Sequence, residues 1–185
     1  MSHDDRRIAF LTANEGVEQS ELIEPWRALE DLGAHPELLA PQAGEVKTME
    51  HLEAADAYPV DGKIADANPD DYAMVVLPGG VANPDALRLD TDAIHFIRSM
   101  ADRGAPIAAI CHAPWLLIDA GVARGRMLTS WPSLRTDITN AGGQWENSPV
   151  VVCRHGAGPL ITSRKPDDLA AFNRAIAEAL QPILV

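Results

Sequence analysis

The chain has 185 residues, of which 46% are hydrophobic, and it carries a formal net charge of -12. This hydrophobic fraction excludes a disordered chain, and the length is enough for one self-sufficient core. The charge, without a cluster of Lys and Arg, speaks against a nucleic-acid or membrane partner, because both are bound mainly through basic side chains.

Two further absences bear on location and on the thiols. The sequence contains no stretch of about 18 consecutive apolar residues, the length that a membrane span needs. Its first residues contain no long apolar run typical of a secretory signal. We therefore expect a cytoplasmic protein. In that compartment Cys111 and Cys153 are expected to be free thiols rather than a disulfide.

Apolar runs alternate with helical patterns along the chain, which is typical of βαβ units on a parallel sheet. Ile8–Thr12 predicts a first strand, and Glu18–Leu32 predicts a helix that ends at Gly33. Glu37–Pro41 predicts a second strand. Residues 42–71 are polar and rich in turn signals, so we expect short edge strands and loops there.

The middle of the chain continues the same alternation. Ala73–Leu77 predicts a buried strand that runs into the turn Pro78–Gly80. Asn83 is suited to the N-cap of a helix that continues to about Arg103. Pro106–Ile110 predicts the next strand.

The last third opens with Cys111 and His112, which lead into a helix that ends at Gly121. Further strands and a terminal helix are predicted at Arg126–Ser130, Val150–Cys153, Leu160–Thr162 and Pro166–Leu180. No internal repeat, low-complexity tract or boundary is visible. The pattern predicts one α/β domain over residues 1–185.

The strongest candidate for chemistry is Cys111, between an apolar strand and the first turn of a helix. The helix N-terminus is expected to lower the pKa of the thiol, and an abrupt strand-to-helix turn would lift the side chain out of the sheet. The alternative is a small, buried and inert residue, as most free cysteines are.

Neighbouring groups could assist a thiolate. His112 is adjacent in sequence and can contact Cys111 on an irregular turn, although it could equally be a histidine without a functional role. Gly79 and Gly80 let the backbone approach a ligand, and an N–H group there, with that of His112, could form an oxyanion hole. A simple strand-exit turn is the alternative.

Acidic residues near two predicted helix starts are a further set of candidates. Glu18 and Glu21 share one helix face, and Pro25 predicts a kink that could point them into a cleft. Acids at this position also commonly stabilise the helix dipole. Stabilisation of a helix dipole is also a sufficient structural reason for Asp85.

Five strings follow one another along nearly the whole chain: NEGVEQSELIEPW, YAMVVLPGGVANPDALR, GAPIAAICHAPWLLIDAGV, GRMLTSWPSLRTDITNAGGQW and ITSRKPDDLAAF. Together they resemble the PfpI family of intracellular cysteine peptidase-like proteins. That family belongs to the superfamily of class I glutamine amidotransferases and of the parkinsonism-associated deglycase. The resemblance implies a three-layer α/β sandwich, with a mostly parallel, flavodoxin-like sheet and helices on both faces.

The resemblance also implies roles for individual residues. Cys111 would be the nucleophile, His112 its partner and general base, and Glu21 the acid close to the thiol. Gly80 and His112 would supply the oxyanion N–H groups. Asp85 matches the acid that completes a Cys-His-acid triad from a neighbouring subunit, but it is one methylene shorter than the usual Glu.

Two departures from the family pattern qualify this reading. Glutamine amidotransferases carry a His-x-Glu pair downstream of the cysteine, whereas His155 is followed by Gly156 and Ala157, so amidotransfer is not expected. Where the family usually has a short Asp-Gly turn, this chain has the longer segment Cys153–Pro159. That segment could line a site or cap a hairpin, and we favour the hairpin.

These observations predict a stress-protective cysteine hydrolase that attacks a carbonyl group of a peptide, or of methylglyoxal and its protein adducts. The alternative is a protein without turnover, either an oxidative-stress sensor in which Cys111 is oxidised beside Glu21, or a chaperone. The resemblance implies a homodimer or larger homo-oligomer. No cofactor is expected, because the sequence has neither metal-ligand spacing nor a nucleotide-binding glycine motif.

Overall fold

A central sheet of seven strands organises the chain in the computed structural model, which describes residues 7–184. The strands in chain order are β1 (Arg7–Leu11), β2 (Glu15–Glu18), β3 (His35–Ala40), β4 (Glu45–Glu50), β5 (Glu53–Pro59), β6 (Gly62–Lys63), β7 (Met74–Leu77), β8 (Ile107–Ile110), β9 (Met127–Leu128), β10 (Gln144–Trp145), β11 (Val150–Cys153) and β12 (Leu160–Ser163). The α-helices are α1 (Gln19–Glu30), α2 (Ala82–Leu87), α3 (Thr91–Asp102), α4 (Pro114–Asp119), α5 (Arg135–Asn140) and α6 (Leu169–Leu184).

The strand order across the main sheet is β11-β12-β8-β7-β1-β3-β6. All neighbouring pairs are parallel except β11 and β12, which are antiparallel. Helices α1 and α6 pack on one face, and α2 to α5 pack on the other. The predicted three-layer α/β sandwich with a mostly parallel sheet is therefore confirmed.

Successive side chains of a strand point to opposite faces, and this places the two halves of the core. Phe10 of β1 packs with Phe172 of α6, whereas the next residue, Leu11, lies in the cluster that contains Phe96 of α3. The central strands β7 and β8, which are covered on both faces, are therefore apolar along their whole length. The apolar runs of the sequence predicted these strands for that reason.

The polar region 42–71 contains more order than expected. Strands β4 and β5 form an antiparallel hairpin, and β2 joins β4 to complete a separate three-stranded sheet. Strand β2 was not predicted, because Glu15–Glu18 is short and mostly polar. Glu18 consequently ends a strand and lies just before α1, rather than opening the helix.

The single helix predicted from Asn83 to Arg103 is wrong, because the chain forms two helices there. The break follows α2, and Asp90 starts α3 as its N-cap by accepting a hydrogen bond of 2.9 Å from the backbone N–H of Ala93. Such a cap satisfies one of the free N–H groups at a helix start. Asp90 was therefore the signal in the sequence for the start of α3.

Asn83 itself lies inside α2, so its predicted role as N-cap is also wrong. It is fully buried, and its Oδ1 accepts a 2.7 Å hydrogen bond from the N–H of Ala13. Its Nδ2 donates to the carbonyl oxygens of Pro78 and Gly79, at 2.9 and 3.0 Å. One buried amide thus fixes the turn after β7 to the end of β1.

The remaining predictions are met with smaller differences. The segment Cys153–Pro159 connects the antiparallel strands β11 and β12, which confirms the predicted hairpin. Helix α5 was not predicted, and the terminal helix begins with a short 3₁₀ turn at Pro166–Asp168.

Cys111 and Cys153 are free thiols, as expected. Among residues 7–184, no helix is both long and apolar enough to cross a membrane.

Candidate active site

Cys111 occupies the apex of a sharp turn at the carboxyl end of β8. Its φ of 64° lies in the left-handed region, which costs a residue with a Cβ about 1–3 kcal/mol. The turn is held by the N–H of Cys111, which donates to the Ser163 carbonyl at 3.1 Å, and by the N–H of Trp131, which donates to the Cys111 carbonyl at 2.8 Å. The predicted strand-to-helix elbow is therefore present.

The thiol is less acidic than the sequence suggested. Helix α4 begins at Pro114, three positions beyond Cys111, so the sulfur does not lie at its first turn. Burial raises the pKa of the Cys111 thiol, and the charge of Glu21 raises it further. The predicted lowering of this pKa is wrong, because burial outweighs the hydrogen bonds from the backbone N–H groups of Gly80 and His112.

His112 lies in contact with the thiol. Its Nδ1 lies 3.2 Å from the Cys111 sulfur, and its ring stacks on Trp131 with 5.6 Å between centroids. Burial lowers the pKa of His112, so the imidazole is neutral at neutral pH and offers an acceptor nitrogen. The adjacent pair Cys111–His112 is thus brought into contact by the irregular turn.

Glu21 also lies beside the sulfur and is fully buried. Burial is the main reason that the pKa of its carboxyl group is raised to about 8, and the nearby Glu18 is the second. Its Oε2 accepts a 2.9 Å hydrogen bond from the N–H of Gly79. Its Oε1 has no partner among the described groups, so a protonated Glu21 has a hydrogen-bond donor to offer beside Cys111.

Two backbone N–H groups, of Gly80 and His112, point towards the Cys111 sulfur. Gly80 has a φ of 85°, and a Cβ there would collide with the carbonyl oxygen of Gly16. At Gly79 a Cβ would lie 2.6 Å from the Cβ of Cys111. The glycines therefore allow the close approach of backbone that an oxyanion hole requires.

Asp85 does not join this group. It lies in the first turn of α2 and is exposed to solvent. Among the described residues, no contact connects its carboxylate with His112. The triad that the resemblance implies takes this acid from a neighbouring subunit, and it stays a prediction.

A cleft of about 190 Å³ opens above the sulfur. Its walls are formed by Glu18, Glu21, His51, Leu52, Gly80, Val81, Cys111, His112, Trp131 and Pro166. A larger recess of about 600 Å³ adjoins it and shares four residues with it, namely His51, Leu52, Gly80 and Val81.

Five of these lining residues were missed by sequence reasoning, namely His51, Leu52, Val81, Trp131 and Pro166. His51 and Leu52 come from the β4–β5 hairpin, whose position over the strand ends has no local sequence signal. Trp131 lies in one of the family-like strings but has no reactive group.

Within the described part of the chain, no cluster of three His, Cys, Asp or Glu residues could hold a metal ion.

Comparison with known proteins identifies the family of the chain. Residues 6–179 match the model of the DJ-1/PfpI family. The chain is 38% identical over 175 residues to Deglycase PH1704 of Pyrococcus horikoshii, covering 95% of this chain and 99% of that protein. It is 34% identical over 169 residues to the Putative cysteine protease YraA of Bacillus subtilis, covering 91% and 95% respectively.

A solved structure has the same fold. It is a two-domain protein of Anabaena variabilis with DJ-1/ThiJ/PfpI-like and ferritin-like domains, and it superposes with a TM-score of 0.87 at 30% identity. The match covers 95% of this chain and 48% of that longer one. Relatives named deglycase and putative cysteine protease support an enzyme of the hydrolase or deglycase type. The resemblance seen in the sequence is thereby confirmed, and the chain belongs to the DJ-1/PfpI family.

Proposed function

We propose that the protein is a cysteine-dependent hydrolase in which the Cys111 sulfur attacks a carbonyl carbon. One observation carries the proposal: the sulfur lies 3.2 Å from Nδ1 of a neutral His112, beside the buried Glu21, and it lines an open cleft. A nucleophile with an adjacent base is the arrangement that covalent catalysis needs.

The reaction follows from these positions. As the sulfur forms a bond to the carbonyl carbon, the thiol proton moves to Nδ1 of His112. Negative charge develops on the carbonyl oxygen, where the N–H groups of Gly80 and His112 can stabilise it. With methylglyoxal the attack gives a thiohemiacetal, and a base-assisted proton shift from its carbinol carbon to the neighbouring carbonyl carbon converts it into a lactoyl thioester, which water hydrolyses to lactate. With an amide the tetrahedral adduct expels the amine, which takes the proton from His112, and water hydrolyses the resulting thioester. Glu21, protonated below about pH 8, can donate a hydrogen bond at the sulfur.

The size of the cleft favours a small carbonyl compound, such as methylglyoxal, over a peptide. About 190 Å³ above the sulfur accommodates a few heavy atoms, whereas a peptide needs an extended groove. The adjoining recess of about 600 Å³ could take the remainder of a protein adduct. The relative named Deglycase PH1704 is consistent with this preference.

A substrate panel tests the proposal. Initial rates with methylglyoxal, a methylglyoxal-modified peptide and unmodified peptides would be compared between the wild type and Cys111→Ser. We expect turnover of the small carbonyl compound by the wild type and none by the variant. Cys153→Asp is the matched control, because it removes the other thiol and leaves an anion beside Arg126. Turnover that survives in Cys111→Ser contradicts the proposal.

The second candidate function is an oxidative-stress sensor, and the position of Glu21 favours it. A protonated carboxyl group beside the sulfur can donate a hydrogen bond to a sulfinate, which would stabilise that oxidation state. Mild peroxide should then add two oxygen atoms at Cys111, and Glu21→Gln should change how readily they are added. An unchanged oxidation profile in the variant would remove Glu21 from this function.

Self-association is a further proposal. Asp85 is exposed, so its carboxylate could act in a Cys-His-acid triad only on a second copy of the chain. Sedimentation and the activity of Asp85→Asn test this. A monomer with full activity, or an oligomer whose activity is unaffected by the substitution, would rule out the triad role of Asp85.

A further inference from the structure

The second thiol, Cys153, lies at the end of β11 on the edge of the main sheet, away from the cleft around Cys111. The residue is 7% exposed. The hairpin loop that follows it is exposed over residues 154–157. The Cys153 thiol is therefore buried next to a loop that is itself exposed to solvent.

Arg126 provides an unusual neighbour for this thiol. It is 8% exposed, and its Nε donates to the Cys153 sulfur at 3.4 Å. Its Nη2 donates to the backbone carbonyls of Cys153 and Gly158, at 3.0 and 2.8 Å. These bonds fix the guanidinium group against the sulfur.

No carboxylate of the described residues forms an ion pair with Arg126. Other arginines of the chain do have such partners, in the pairs Arg7–Glu37, Arg88–Asp119 and Arg164–Asp168. A buried cation without a counter-ion is costly, because two neutral carbonyl groups do not replace the hydration of a full charge. A nearby anion would therefore stabilise the guanidinium group of Arg126, and the Cys153 sulfur is the ionisable atom that it contacts.

The hydrogen-bond donors around Cys153 favour the ionised form. Besides Nε of Arg126, the backbone N–H groups of Met127 and His155 point to the sulfur. A neutral thiol would instead have to donate, and the acceptor it contacts is the His155 carbonyl at 3.9 Å. Three donors and one distant acceptor complement a thiolate better than a thiol.

The electrostatic balance agrees with this geometry. Burial acts to raise the pKa of Cys153, but the hydrogen bond and charge of Arg126 and the two backbone N–H groups outweigh it and lower the pKa. The Cys111 thiol, in contrast, has its pKa raised by burial. The lowered pKa that the sequence predicted for Cys111 is thus found at Cys153 instead.

We propose that Cys153 is held as a thiolate by Arg126 and forms a second reactive site, separate from Cys111, whose substrate is hydrogen peroxide. The thiolate is the reactive form of cysteine towards oxidants. The exposed loop over residues 154–157 leaves the site within reach of a small molecule.

The reaction balances without another reactant. The Cys153 sulfur attacks one oxygen of hydrogen peroxide, an S–O bond forms and the O–O bond breaks. The sulfur is oxidised by two electrons, the peroxide is reduced, and the departing hydroxide takes the sulfenic proton and leaves as water. The product is a sulfenate, whose negative charge remains paired with Arg126.

The loop is shaped around the guanidinium group. Gly156 has a φ of 107°, and a Cβ at this position would lie 2.6 Å from Nη1 of Arg126. Only glycine fits there without displacing the charge. The loop therefore packs directly on the cation that holds the sulfur.

The first test uses Cys111→Ser, in which Cys153 is the only remaining thiol. The ultraviolet absorbance of the thiolate is followed against pH in the folded protein. We expect a midpoint below the ordinary thiol value of about 8.5. We also expect the midpoint to move upward in the double variant Cys111→Ser, Arg126→Gln. A midpoint at or above the ordinary value in the folded single variant overturns the proposal.

The second test uses peroxide with dimedone, which traps sulfenates, followed by peptide mass spectrometry of the wild type. We expect the adduct at Cys153 to form at least several-fold faster than at Cys111, and to be absent from Cys153→Asp. An adduct at Cys111 with none at Cys153 contradicts the proposal.

Thermal denaturation gives a readout that does not depend on reactivity. Cys153→Asp should keep the melting temperature near that of the wild type, because an anion still faces Arg126. Cys153→Val, which fills a similar volume without a charge, should lower it. Equal melting temperatures for the Val variant and the wild type would show that Arg126 needs no anion.

Discussion

Nδ1 of His112 lies 3.2 Å from the sulfur of Cys111, although the two residues are neighbours in sequence and would diverge on a regular helix. The contact exists because Cys111 has a φ of 64° and the helix begins only at Pro114. The strained elbow therefore both exposes the sulfur to the cleft and turns the imidazole towards it. The proposed base and the proposed nucleophile are thus two consecutive residues.

His112→Gln is expected to lower kcat/KM for the carbonyl substrate by about 100-fold or more, the usual effect of losing a general base. His95→Gln on the exposed side of α3 is the control and should leave the rate unchanged.

The pH profile of the wild type tests the same role for His112. Burial lowers its pKa below the ordinary 6.5, and only the neutral imidazole can accept the proton. The acid limb of kcat/KM should therefore have its midpoint below pH 6.5 and disappear in His112→Gln. A midpoint above pH 6.5, or a limb that survives the substitution, would assign the proton to another group.

Glu21 should make stability depend on pH. In the folded protein the pKa of Glu21 is about 8, above the ordinary 4.5. Protonation of Glu21 therefore makes its full contribution to stability below pH 4.5. This contribution is lost as the pH rises towards 8. The slope in that window is at most about 1.4 kcal/mol per pH unit, the value for one proton.

Urea denaturation of the wild type and of Glu21→Gln between pH 5 and about 9 measures this effect. The free energy of unfolding of the wild type should fall relative to that of the variant up to about pH 8 and then level off. Glu24→Gln, on the exposed side of the same helix, is the matched control. Parallel curves for wild type and Glu21→Gln would mean that the buried carboxyl group is ionised throughout.

The turn after β7 should tolerate no side chain at Gly80. Gly80→Ala places a Cβ against the Gly16 carbonyl and 2.9 Å from the N–H nitrogen of Glu18, in addition to the strain of its positive φ. Gly121 has a similar φ of 75° but open space around it, so Gly121→Ala should cost only the strain, about 1 kcal/mol.

Comparison of the two glycine variants separates strain from collision. Gly80→Ala should lose clearly more stability than Gly121→Ala by denaturant titration, and it alone should lose turnover. Equal losses in both variants would show that the Gly80 turn adapts and is not needed for the site.

The sequence was sufficient to predict the elements that are covered on both faces. The apolar strands, the elbow at Cys111 and the turn at Gly79 and Gly80 all carry strong local signals. The contact with Glu21 was expected from the resemblance to the family rather than from spacing.

What the sequence did not reveal depends on contacts between distant segments. The hairpin that brings His51 over the cleft and the buried amide of Asn83 have no local pattern of their own. The same holds for Arg126 and Cys153, which are 27 residues apart and meet because β9 lies next to β11 in the fold. The raised pKa of Cys111 was missed because burial, rather than the helix N-terminus, dominates its surroundings.

Rapid-quench mass spectrometry of the wild type with methylglyoxal tests the proposed chemistry most directly. We predict a covalent adduct on the Cys111 sulfur that forms before product and decays as product accumulates, and no such adduct in Cys111→Ser. Product that accumulates without any adduct on Cys111 would contradict a covalent attack by this sulfur.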